Sequence, residues 1–124
     1  MKTIELTGAA LDWAVAKCEG YEPFNDSVSW LIEHDGRYVD LPRYSTNWAQ
    51  GGPIIEREWL DITPWPNESR EDMRWHCQQH DSANYCAQYG ETPLIAAMRC
   101  YCSAKLGDEI EIPQELQLCQ QPNP

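Results

Sequence analysis

A chain of 124 residues, 42% of them hydrophobic and six of them tryptophan, is one domain able to bury roughly two-thirds of its unfolded surface. Its mean hydropathy of −0.63, with no apolar run near the roughly 20 residues that span a bilayer, argues against a membrane protein. A net charge of −11, from 20 acidic against 9 basic residues, argues against direct nucleic-acid binding, which needs clustered Lys and Arg.

Thr3 to Leu6 reads as a short strand. Thr7 then caps a helix from Gly8 to about Cys18, with Leu11, Val15 and Cys18 on one face, Trp13 flanking it, and Glu19-Gly20 as the stop. Residues 21–27 form a turn-rich loop. Val28 to Glu33 and Arg37 to Leu41 flank His34-Asp35-Gly36, and the Asp-Gly pair predicts a hairpin. Pro42 ends the second strand and delivers the chain to a polar loop from Tyr44. Ile54 to Trp59 alternates as a strand would, with Ile55, Arg57 and Trp59 on one face. Residues 60–91 look irregular and insertion-like.

The helix after them has the clearest signals. Thr92 is its N-cap, Pro93 its first residue, Leu94 to Leu106 its body and Gly107 its stop. Ile110 to Ile112 reads as extended, and residues 113–124 as a polar tail with a short helical turn. These elements, without a βαβ repeat, predict a single α+β domain over 1–124. Its two main helices would pack on a short, mostly antiparallel sheet.

The stretch Tyr44-Ser45-Thr46-Asn47-Trp48-Ala49-Gln50-Gly51-Gly52 is the candidate site. It gathers a phenol, two hydroxyls, two carboxamides and an indole ahead of two glycines, whose backbone can approach a ligand closely. Tyr44, Ser45, Thr46, Trp48, Gln50, Gly51 and Gly52 are therefore expected to bind a ligand, with Trp48 offering a planar platform. Arg57 and Arg99 are expected to grip an anion. The first turn of the helix at Thr92 offers free amides to the same site.

Other chemistries find less support. His76, Cys77, His80 and Cys86 fall within eleven residues, but their spacing lacks the paired pattern of a structural zinc site. Ser45 and Thr46 have no histidine nearby in sequence, and Gly51-Gly52-Pro53 lacks the Lys-Ser/Thr of a phosphate loop. No catalytic residue, metal or cofactor is expected. Met1 to Leu6 carries a carboxylate where an export signal needs an apolar run, so the protein is expected in the cytoplasm with all six cysteines reduced.

Three blocks carry a family resemblance: Leu6 to Glu19, Tyr44 to Arg57 and Thr92 to Tyr101, followed by Leu106-Gly107-Asp108-Glu109. The chain resembles the NinX-like family of small phage and prophage proteins in these blocks. The resemblance implies a phage accessory protein acting in the cytoplasm of a bacterial host, without supplying a substrate or catalytic residues. Two functions then compete. One is a module that captures a small anionic or nucleotide-like ligand, such as a host signal or metabolite. The other is an acidic protein–protein modulator, or DNA mimic, that occupies the basic site of a host defence enzyme. The uncharged hydrogen-bonding groups of the candidate site favour the first. Homo-oligomerisation stays open.

Overall fold

The computed structural model describes residues 1–66, 70–80 and 85–120. The fold is α+β, and the described residues form four α-helices and two small antiparallel sheets rather than the single sheet expected. Its centre is α3, Pro93–Leu106, in which every residue from Leu94 to Ser103 is buried. A helix apolar on all sides has to be covered on all sides. The sheet of β4 (Asp61–Pro64), β5 (Trp75–His80) and β6 (Tyr85–Gly90) lies against it, and α1 (Gly8–Cys18) and α2 (Trp48–Glu58) also pack on it. Within the stretch read as irregular, β4, β5 and β6 thus supply regular structure against the core. Gly90 allows the close approach of β6 to α3: a Cβ there would lie 2.6 Å from the Ala96 amide nitrogen.

The ends of α3 form as its residues predict. The Thr92 hydroxyl accepts the Ile95 amide at 3.1 Å, and Gly107 leaves the helix with φ of 93°. In α1, Ala10, Leu11, Ala14 and Val15 are buried, while Cys18 is half-buried and Trp13 packs against the core edge. A short α4 (Gln114–Gln120) follows Pro113 and buries Leu116, packing against α1.

The second sheet is a small outer ribbon of β1 (Phe24–Asn25), β2 (Trp30–His34) and β3 (Arg37–Asp40), of which only Ile32 is fully buried. Asp35 and Gly36 both take positive φ, 52° and 78°, as a two-residue turn of this hairpin requires.

Two predicted strands do not form. Thr3–Glu5 is a turn of 3-10 helix, because the N-terminus is pinned endwise to the segment after α3. The Thr3 amide donates to the Asp108 carbonyl, its hydroxyl donates to the Gly107 carbonyl, and ladder pairing is limited to a single Lys2–Glu109 bridge. The segment expected as a strand from Ile54 to Trp59 belongs to α2. The Asn47 side chain caps this helix by accepting the Ala49 amide at 2.9 Å. Gly51, Ile54, Ile55 and Glu58 face inward at helical spacing, which outweighs the period-two reading. Pro53 lies inside the helix and removes one backbone donor. Trp59 closes the helix in the left-handed region, with φ of 55°.

Candidate functional site

The polar stretch ahead of α2 is a tight turn rather than an open loop. The Arg43 carbonyl accepts the Thr46 and Asn47 amides, and the Gln50 side chain turns back to accept the Arg43 amide at 2.6 Å. Gln50 therefore latches the turn. Gly51 is closed over, since a Cβ there would stand 2.2 Å from the Tyr44 carbonyl oxygen and 2.7 Å from the Leu94 side chain. Trp48 is 54% exposed on the first turn of α2, packed over Gly52. The loop and the first turn of α3 do meet, but through the apolar contact of Gly51 with Leu94.

Both arginines have other partners. Arg57 donates to both oxygens of Glu19, at 3.1 and 2.6 Å, to the Tyr101 hydroxyl and to Glu58. The Tyr101 hydroxyl donates to Glu19 at 2.6 Å. Burial of the Glu19 carboxyl would raise its pKa, but Arg57 and Tyr101 outweigh it and the net shift is downward. Burial pushes the Tyr44 hydroxyl far up, helped by the Glu19 charge. Arg99 is buried and donates to the carbonyls of Leu6 and Tyr89, at 2.9 and 2.8 Å, and burial lowers its pKa. Thr92 is the cap of α3. The structure therefore gives Arg57, Arg99 and Thr92 work within the fold itself.

His76 is buried against the rings of Trp65 and Tyr89, with centroids 5.4 and 4.9 Å away. Cys77 alternates to the other face of β5. No group of three or more metal-ligating side chains occurs among the described residues. The His80 side chain lies outside them. Cys18, Cys77, Cys86, Cys100 and Cys102 are free thiols, while the Cys119 side chain lies outside the described residues.

A groove of about 370 Å³ opens beside the predicted stretch, lined by Gly8, Ala9, Asp12, Trp30, Leu41, Arg43 and Thr46. Of the predicted residues only Thr46 lines it directly, with Tyr44 and Ser45 forming the adjoining buried turn. Gly8 and Ala9 are the first residues of α1, where backbone amides lack helical partners and the helix dipole favours negative charge. Trp30 presents a half-buried indole from β2. Arg43 is exposed, and among the described residues its guanidinium has neither an ion pair nor a hydrogen bond. Its charge favours ionisation of Asp12.

Asp12 is only 6% exposed yet lines the groove. Its Oδ1 accepts the Ser45 amide at 2.8 Å. Burial raises its pKa, and the opposing influence of Ser45 and Arg43 does not cancel the rise. The Ser45 hydroxyl, 1% exposed, lies beside the carboxyl and also favours its ionisation. Sequence reasoning passed over Asp12, Trp30 and Arg43. A visible signal was the carboxylate alone in the apolar run Ala9-Ala10-Leu11-Asp12-Trp13-Ala14-Val15.

The fold is shared with a phage protein from Bacillus cereus ATCC 14579, known from a 2.0 Å crystal structure. The two are 19% identical over 77% of this chain and 87% of that one, with a TM-score of 0.57, a likeness of fold alone. The class is thus a small α+β domain of that fold. The family model for NinX of bacteriophage P22 matches residues 2–105, and the chain belongs to that family. No curated protein matches it. No helix among the described residues is long and apolar enough to cross a membrane.

Proposed function

We propose that this protein captures a small anionic, ring-bearing ligand of nucleotide-like chemistry in the groove between the start of α1, β2 and the turn before α2. The supporting observation is the convergence of three unlike groups on one concavity: the unpaired Arg43 guanidinium, the Trp30 ring and the partly desolvated Asp12 carboxyl. The volume of about 370 Å³ falls within the range of small-molecule sites, roughly 300–1,000 Å³. An arginine over a groove that also holds helix-start amides suits a phosphate or carboxylate. An indole suits a planar ring. None of these groups needs to act as a nucleophile or general base, so capture is the function, and a phage gains from it by lowering the free concentration of a host signal or metabolite.

Ligand-induced stabilisation tests this reading. Nucleoside monophosphates at millimolar concentration should raise the melting temperature of the wild-type protein, and Arg43→Ala should abolish the rise. The competing reading, an acidic surface that occupies the basic site of a host enzyme, predicts no such rise. It predicts instead an association with a host protein that weakens sharply from low to high salt. That pair of results would overturn capture.

A further inference from the structure

We infer that the Asp12–Ser45 pair is the specificity element of this groove and reads the donor edge of a guanine-type base, so that the preferred ligand class is a guanine nucleotide. The inference rests on the capture reading above and deepens it. Asp12 lies in the middle of an apolar helical run and lines the groove together with Gly8 and Ala9. Its neighbours Ala10, Leu11, Ala14 and Val15 are buried in the core, so packing would favour another apolar residue there. One oxygen is held by the Ser45 amide, which orients the carboxyl. The carboxyl keeps further acceptor sites, since an ionised carboxylate offers about four and the Ser45 amide and hydroxyl supply at most two.

A buried carboxyl with unused acceptor sites on the lining of a groove calls for an occupant that donates to them. A carboxyl with a free acceptor needs a donor. Arg43 and the helix-start residues Gly8 and Ala9 line the same groove and suit an anion. Trp30 needs a flat ring. A guanine nucleotide meets all three demands, because its base presents a ring N–H and an exocyclic amine side by side and its phosphate is anionic. Adenine presents an acceptor where guanine has the ring N–H, and would set that lone pair against the carboxyl. Sites built to hydrogen-bond a group reject analogues lacking it far more strongly than apolar pockets reject a missing methylene.

The test is calorimetric titration of the full-length protein with GMP, IMP and AMP. IMP keeps the ring N–H of guanine and lacks its amine. GMP should bind at least tenfold tighter than AMP, with IMP between them. Asp12→Asn should remove the preference, while Arg43→Ala should weaken all three nucleotides by a similar factor. The wild-type ranking needs no variant, so the test survives if Asp12→Asn does not fold. Binding of GMP and AMP with equal affinity, abolished by Arg43→Ala, would overturn this inference and leave the capture reading standing. Failure of all three to bind would overturn both.

Discussion

At Asp12 the fold keeps a carboxyl where burial raises its pKa. A carboxyl whose folded value lies above its unfolded value, about 3.9, contributes stability fully present below that pH and lost as pH rises through the folded value. Asp12→Asn should escape that loss. The stability of the variant relative to wild type, measured by urea unfolding, should therefore grow as pH is raised from about 4 toward 7. A difference constant across that window would show that the buried carboxyl carries no such cost. Glu19 has the opposite sign. Its pKa is depressed because Arg57 and Tyr101 outweigh burial, so its contribution is present above the ordinary value and lost as pH falls through the folded one. Glu19→Gln should cost on the order of 1–3 kcal/mol at neutral pH. In acid the gap to wild type should close. Equal gaps at pH 7 and pH 3 would show that the ion pair does not carry the effect.

The element most exposed to test is α2, because it forms against two local signals, Pro53 and the alternation from Ile54 to Trp59. Helix-interior proline is costly. The offset comes from the Asn47 cap and from Gly51 and Ile54 packed inward, where burying one isoleucine contributes roughly 1.5–3 kcal/mol. Asn47→Ala should destabilise the protein by about 1 kcal/mol. Gly51→Ala should cost about 1–3 kcal/mol by overpacking, since its methyl would meet the Tyr44 carbonyl and Leu94. Circular dichroism and urea midpoints of both variants decide the matter. A Gly51→Ala variant as stable as wild type would mean that α2 stands further from Tyr44 than described.

Across the whole molecule, one cluster of buried side chains joins residues from Leu6 through Ile32, Leu60 and Tyr101 to Leu116. A single shared core in a chain of this size unfolds as a unit. Fluorescence from the six tryptophans and far-ultraviolet circular dichroism should therefore give coincident urea transitions. Separate midpoints would show that the outer β1–β3 ribbon melts apart from the α3 layer. Thiol chemistry reports on the same core. Cys77, Cys100 and Cys102 are buried, and burial raises the pKa of Cys102 far above that of an ordinary thiol. Those three should resist a thiol reagent in the native state, and all six cysteines should react once the chain is unfolded. Fewer than six reactive groups in freshly purified unfolded protein would reveal oxidation.

Local chemistry was legible wherever one residue type answers one backbone demand. Thr92, Pro93 and Gly107 bracket α3, Gly20 follows the end of α1, and Asp35-Gly36 turns the hairpin, because caps and positive-φ turns are satisfied within a few residues. The α+β class and the family blocks were legible on the same footing. The identity of α2 was not, since Ile54 and Ile55 fit either period until Leu94 and Tyr44 arrive to close over Gly51. Nor was the meander of β4–β6, whose pairing depends on long-range ladders from Asp61–Gln78 to His80–Tyr85 that no short window contains. The groove is the extreme case. Asp12, Trp30 and Arg43 lie on three separate segments of the sequence, and only the packing of α1 against the turn before α2 sets them around one cavity. Sequence could name the polar stretch next to that cavity, because hydrogen-bonding residue types are local facts. Which of its groups are consumed by the fold and which face open space is set by the partners each one meets, and those partners come together only in the tertiary structure.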